Sequence, residues 1–252
     1  EDNPYEALMV NIFGTKIIAD LSAKHGAEKF VMVSTDKAVN PTNIMGASKR
    51  IAEIYIQSLQ TCPPQEGRST KYVTTRFGNV LGSNGSVVPL FRKQIEAGGP
   101  ITVTHKEITR YFMTIPEACN LVLEAGAMGV GADIFVFDMG QPVKIYDMAK
   151  KMVKLYGFTE DEIEIIETGL RPGEKLYEEL LTSKENTLPT HHPKIMRAEV
   201  NTLTNEQICT HFDELSEIIV EADEFSLVAK MKQIVPEFVS NNSVYEKLDV
   251  KR

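Results

Sequence analysis

The run Ser34-Thr35-Asp36-Lys37-Ala38-Val39-Asn40-Pro41-Thr42-Asn43-Ile44-Met45-Gly46-Ala47-Ser48-Lys49-Arg50 brings hydroxyls, a carboxyl and amines together in one short stretch. An acid beside an amine has its ionisation tuned by burial and by its neighbour, which general acid/base work requires. Met45 and Lys49 are four residues apart, so on a helix they share one face. A second set suits anions. Arg76-Phe77-Gly78-Asn79-Val80-Leu81-Gly82-Ser83-Asn84-Gly85-Ser86-Val87-Val88-Pro89 is rich in glycine, whose missing Cβ lets backbone amides approach a phosphate. Arg110, in Thr109-Arg110-Tyr111-Phe112-Met113, and Arg171, in Gly169-Leu170-Arg171-Pro172-Gly173-Glu174-Lys175, carry guanidiniums that offer fixed, paired donors to phosphate oxygens. Taken singly, each of these is more often an ordinary solvated turn or a surface arginine.

The elements that must hold these residues follow from the apolar pattern. Leu8, Ile12, Ile17, Ile18 and Leu21 recur near helical spacing between Tyr5 and His25, and Gly26 sits where that helix would stop. Lys29 to Ser34 is a short β-branched and aromatic run that reads as a buried parallel strand, with Thr35, Asp36 and Lys37 at its carboxyl end. Helical periodicity returns from Asn43 to Leu59, and Tyr72 to Phe77 reads as a second strand. The order helix, strand, helix, strand predicts a doubly wound α/β sheet, where ligands bind beyond the carboxyl ends of the strands. Downstream, helices are expected at Val87–Ala97, Pro116–Ala127, Ile145–Tyr156, Asn205–Ala222 and Glu224–Ile234, and strands at Ile101–Thr104 and Asp133–Asp138. Cys62-Pro63-Pro64-Gln65-Glu66-Gly67 marks a surface loop.

Composition excludes several classes. With 252 residues, 42% of them hydrophobic, the chain can bury one large domain or two closely packed lobes. A net charge of −8 leaves no global basic surface for nucleic acid or anionic lipid, so an anionic ligand must be met by local cations. A small phosphorylated substrate fits that better than a polymer. Cys62, Cys119 and Cys209 are far apart and without C-x-x-C spacing, so neither a disulfide framework nor a zinc site is expected, and the chain reads as intracellular. His191-His192 is no metal pair, because adjacent histidines on extended chain point in different directions. No apolar run approaches the roughly 18 residues of a membrane-spanning helix. Methionines such as Met148 and Met152 are expected to fill core gaps.

Taken together, these blocks resemble the extended short-chain dehydrogenase/reductases, in particular the bacterial UDP-N-acetylglucosamine 4,6-dehydratases of polysaccharide biosynthesis. In that family a hydroxyl residue at a strand end, here Thr35, is followed by an Asp-Lys pair, here Asp36-Lys37, and a Tyr-x-x-x-Lys motif opens the next helix. Lys49 matches the lysine; Met45 stands in place of the tyrosine, and a thioether neither gives nor takes a proton at neutral pH. The large membrane-anchored members of the group are similar in carrying methionine there. By this resemblance Thr35, Lys49 or an ordered water assists removal of the sugar 4-hydroxyl proton. Asn11-Ile12-Phe13-Gly14-Thr15 looks like the family's Asn-x-x-Gly-Thr helix, whose asparagine helps order the site.

The resemblance implies a Rossmann fold, NAD or NADP as cofactor and a UDP-sugar substrate, with no metal. It puts Thr35, Asp36, Lys37, Met45 and Lys49 in the catalytic set, and Asn11, Ser34, Lys49 and Arg76 beside the cofactor. Asn79, Val87, Pro89, Thr102, Arg110, Arg171 and Glu174 fall beside the substrate. Lys37 would remove the carbon-5 proton and Asp36 would protonate the departing 6-hydroxyl, giving a 4-keto-6-deoxy sugar. Residues 1–80, with 130–157 returning, would form the carboxy-terminal part of the dinucleotide-binding domain, and 81–252 mainly a substrate lobe with terminal helices. No G-x-G-x-x-G occurs in the sequence. The first Rossmann half is therefore expected upstream with an amino-terminal membrane anchor, the parent protein being a homo-oligomer on the cytoplasmic face of the bacterial inner membrane and the isolated fragment inactive. A nucleotide-sugar 4-epimerase and a noncatalytic nucleotide-sugar-binding module are the alternatives; the Asp36-Lys37 pair supplies elimination machinery that an epimerase does not require.

Overall fold

A computed structural model describes residues 1–61, 70–179, 186–200, 203–221 and 223–249. The expected loop at Cys62–Gly67 and the expected helix end at Ala222 lie outside the described residues. The chain opens with α1 (Pro4–Ala7) and α2 (Gly14–Lys24), joined by a π-helical segment, Leu8–Phe13. Then come β1 (Lys29–Thr35), α3 (Ile44–Leu59), β2 (Lys71–Phe77), β3 (Asn79–Val80), α4 (Val87–Glu96), β4 (Ile101–Val103), β5 (Thr109–Arg110) and β6 (Phe112–Met113). The remainder is α5 (Ile115–Met128), β7 (Asp133–Phe137), β8 (Val143–Lys144), α6 (Ile145–Leu155), β9 (Ile165–Glu167), β10 (Asn186–Pro189), β11 (Ile195–Glu199), α7 (Asn205–Glu221) and α8 (Glu224–Ile234).

The main sheet has the order β1-β2-β7-β11-β10. β1, β2 and β7 run parallel, and β11 and β10 are added antiparallel at the far side. Helices flank it on both faces, as the alternating pattern requires. On one face α3 packs with α7 and α8 around Ile51, Tyr55, Phe212 and Met231. On the other, Leu121 and Ala125 of α5 cover Val73 and Phe135. β1 forms one edge of the sheet, and Val33 on it is exposed.

A smaller lobe gathers α4, α6, β4 and β9 around Phe91, Ile95, Ile101, Val153 and Ile163. The expected division is modified in two places. Only β7 of the 130–157 segment returns to the main sheet, because the apolar face of α6 packs in the small lobe. The terminal helices α7 and α8 join the large core through α3. Nearly every residue of α3 is buried as a result, with the sheet on one side and α7 and α8 on the other.

Two local features set the position of the site. Parallel pairing of β1 with β2 matches Thr35 to Phe77, so the segments that follow them, Asp36-Lys37 and Gly78-Asn79, leave the sheet side by side. Asn43 caps α3, its side chain accepting from the Gly46 amide at 2.7 Å, and the helix begins directly against the loop after β1. A Cβ at Gly46 would run into the Lys37 carbonyl oxygen, and one at Gly78 would lie 2.9 Å from Asp36 Oδ2. Glycine is what lets these three segments approach so closely.

Candidate active site

Thr35 ends β1, and its hydroxyl accepts from the Lys37 amide at 3.4 Å while donating to Asp36 Oδ1 at 2.9 Å. The same Asp36 oxygen accepts from Lys37 Nζ at 2.9 Å. Lys37 Nζ also donates to Asn79 Oδ1 at 3.2 Å, so the turn after β1 and the turn after β2 are tied through one ammonium. Asp36 is fully buried, and its Oδ2 has no hydrogen-bond partner among the described residues. Such an oxygen is costly in a protein interior and is a natural place for a proton.

Lys49 Nζ donates to the Val33 carbonyl at 2.9 Å. Burial lowers its pKa below the usual lysine range, with Glu53 opposing. Met45, one turn earlier, is exposed at the start of α3. Asn11, in the π-helical segment, donates to Ser48 Oγ at 2.9 Å, and Ser48 donates to the Met45 carbonyl at 2.8 Å. Asn11 thus ties the π-helical segment to the first turn of α3.

Two residues expected beside the cofactor meet a buried carboxylate. Ser34 and Arg76 are buried and turn inward to Glu53, which accepts from Ser34 Oγ at 2.6 Å and from Arg76 at 2.9 and 2.7 Å. Arg50 joins the same carboxylate at 3.1 Å. Burial alone pushes the Glu53 carboxyl up, but the two guanidiniums and the Ser34 hydroxyl more than offset it and hold it below the usual carboxylate range. These side chains brace the carboxyl ends of β1 and β2 from within.

Beyond the ends of β2 and β5 lies a cleft of about 380 Å³ whose walls include Asn79, Val87, Thr102, Arg110, Arg171 and Glu174. Six of the seven expected substrate residues therefore share one cavity. Pro89 does not; it is exposed on the outer side of α4, which carries Val87 into the cleft. Arg110 is fixed by donating to the Thr109 carbonyl at 2.7 Å, and it meets Glu174 at 3.3 Å. Glu174 accepts from the Arg171 amide at 3.1 Å and from Thr104 Oγ1 at 3.1 Å. Positive φ at Gly173 lets this loop fold onto the cap of α3, where its carbonyl accepts from Thr42 and Asn43 at 2.8 and 3.0 Å.

Sequence reasoning missed Glu178. It is buried, 3.6 Å from Lys37 Nζ and 3.6 Å from Arg110 Nε, so it joins the two halves of the site. Burial raises its pKa, as does Asp36, against Lys37, Arg110 and Lys175. Nothing in the pattern marked it, because the segment after Gly173 is irregular and carries no periodicity. His191 meets Glu124 at 2.9 Å, and no cluster of three metal-binding side chains occurs among the described residues.

A doubly wound sheet with an acid–amine pair at the carboxyl end of a parallel strand, beside an arginine-lined cleft, has the architecture of a Rossmann-type short-chain dehydrogenase/reductase. Residues 1–200 match the family model described as polysaccharide biosynthesis protein, and the chain belongs to that family. It is 58% identical over 202 residues to the capsular polysaccharide biosynthesis protein CapD of Staphylococcus aureus, a match covering 80% of this chain and 33% of CapD. The chain spans about a third of the length of CapD and of the similar EpsC of Bacillus subtilis, and about half that of other curated relatives it matches. Among solved structures, Pen from Bacillus thuringiensis is 34% identical with a TM-score of 0.72, covering 82% of this chain and 68% of Pen. A dTDP-glucose 4,6-dehydratase from Streptomyces venezuelae, DesIV, solved with NAD, is 18% identical with a TM-score of 0.58, covering 68% of this chain and 56% of that one, and shares the fold. No helix among the described residues is long and apolar enough to cross a membrane.

Proposed function

We propose that the protein carrying this chain removes water from a UDP-N-acetylhexosamine to give a 4-keto-6-deoxy sugar for polysaccharide synthesis. The observation that carries this reading is the contact between the Asp36 carboxylate and Lys37 Nζ, 2.9 Å apart at the carboxyl end of β1 and joined through Asn79 to the arginine-lined cleft. Membership of the polysaccharide biosynthesis family supports the pathway class.

The residues fit a nicotinamide dinucleotide at its reactive end. An apolar trough over Val33, Phe77, Val80 and Ile115 opens beside β1, suited to a flat ring, and Lys49 bonds to the Val33 carbonyl that borders it. When bound, that group supplies hydride acceptance from sugar carbon 4 and hydride return at carbon 6. Lys37, as the free amine, takes the proton from carbon 5, made acidic by the neighbouring ketone, and returns a solvent-exchangeable proton to carbon 5 once carbon 6 has been reduced. Asp36, in its protonated form, gives its proton to the departing 6-hydroxyl. Arg110 and Arg171 hold the diphosphate and Glu174 the ribose. Thr35, Lys49 or water assists loss of the 4-hydroxyl proton, since Met45 cannot.

Incubating the full-length protein with UDP-N-acetylglucosamine and NAD or NADP tests this by mass spectrometry. A product lighter by one water is expected. Unchanged mass with inverted carbon 4 would mean an epimerase, and binding without change a noncatalytic module.

A further inference from the structure

Glu178 sits where the cleft and the acid–amine pair meet. Its Oε1 is 3.6 Å from Lys37 Nζ on one side and 3.6 Å from Arg110 Nε on the other, and its Oε2 is buried with no hydrogen-bond partner among the described residues. The charged groups facing it are Asp36 and Lys37 from the turn after β1, Arg110 from β5, and Lys175 from its own segment. Glu174 lies beyond Arg110 at 3.3 Å. Lys175 is itself shared with Glu179 at 3.5 Å, so Lys37 and Arg110 are the cations in direct contact with the Glu178 carboxylate.

We propose that Glu178 is a positioning residue that links occupation of the cleft to the charge around Lys37: when a ligand diphosphate takes over Arg110, Glu178 takes up a proton. The inference rests on the reading of the cleft as a nucleotide-diphosphate site. A diphosphate diester brings two negative charges to the cleft, which Arg110 lines together with Arg171. Arg110 then does less to stabilise the Glu178 carboxylate, whose proton affinity burial already raises. Protonation adds an O–H bond at Glu178 with a proton drawn from solvent.

Calorimetry of the full-length protein with the phenyl ester of UDP, repeated in buffers of different ionisation enthalpy, tests this. The ester has no sugar hydroxyl to oxidise and no group that titrates near neutrality, so any proton uptake belongs to the protein. The expected result is uptake of a fraction of a proton per ligand. It peaks at a pH between the Glu178 values of the free and bound protein and vanishes on either side. Glu178→Gln is expected to bind the ester without uptake, and Glu178→Asp, which withdraws the carboxyl from Arg110, to move the peak. Binding to the wild type with no uptake at any pH from about 5 to 9 overturns the proposal. So does a Gln variant that keeps the wild-type uptake or, if that variant does not fold, an Asp variant with an unmoved profile. Absence of binding to the wild type overturns the reading of the cleft and this proposal with it.

Discussion

Replacing Glu53 by glutamine tests the buried brace beneath the site. Glu53 is fully buried and accepts from Arg76 at 2.9 and 2.7 Å, from Arg50 at 3.1 Å and from Ser34 at 2.6 Å. The amide keeps the shape but removes the negative charge facing two largely buried guanidiniums. Removing one partner of a buried ion pair costs about 3–5 kcal/mol, which sets the scale of the loss. In a urea titration followed by circular dichroism, the variant's midpoint should fall by that energy divided by the slope, with the slope itself unchanged. The pH dependence fixes the cause. Glu53 is held below its ordinary value of 4.5 in the folded chain, so its contribution is complete above that value and is lost as pH falls through the folded one. The difference between wild type and variant should be constant at neutral pH and shrink in acid. A loss under about 1 kcal/mol at neutral pH, the worth of an exposed pair, would refute the reasoning.

Four shorter predictions concern the site. Asp36→Asn and Lys37→Met should each lower the rate of water loss by about 10²–10⁴-fold, the usual worth of a general acid or base, with nucleotide-sugar affinity within a few-fold of wild type; an Asp36→Asn enzyme that eliminates water at an unchanged rate would remove Asp36 from its role. Gly46→Ala should abolish product formation, because its Cβ must displace the Lys37 carbonyl; a crystal structure of the variant would show Asp36 and Lys37 moved apart. Arg110→Lys should weaken binding of the UDP ester by about 10–100-fold in calorimetry, since the ammonium lacks the paired donors and a charged hydrogen bond is worth about 1.5–3 kcal/mol. Met45→Leu should keep the rate of water loss within about threefold, because the thioether carries no proton for the reaction to use.

Much of this was legible in the sequence because it rests on strong local signals. The helical stripe from Asn43 to Leu59 and the β-branched runs before Thr35 and after Lys71 fix α3, β1 and β2, and parallel pairing then brings Asp36 and Asn79 to one edge. The π-helical turn at Leu8–Phe13 was not legible, since its residues keep the apolar pattern of an ordinary helix. Strands β3, β5, β6 and β8 are two residues each, too short for any alternation to register. Strand β10 was not anticipated, and its Pro189 is tolerated because β10 lies at the sheet edge, where a missing donor costs little. The contact of Arg76 with Glu53 was not legible, because motif position says where a residue falls on a strand, not which face it serves. Its buried partner Glu53 lies 23 residues away and only the fold joins them. Glu178 escaped for the same reason, its partners Lys37 and Arg110 being distant in sequence.

The central claim is that Lys37 and Asp36 carry out elimination across carbons 5 and 6. The most direct measurement is to run the full-length protein with UDP-N-acetylglucosamine and the dinucleotide in heavy water and to analyse the product by mass spectrometry and proton NMR. The account predicts a product that has lost one water and carries one deuterium at carbon 5, with neither change in Lys37→Met. A product of unchanged mass, or loss of water without deuterium at carbon 5, would contradict it.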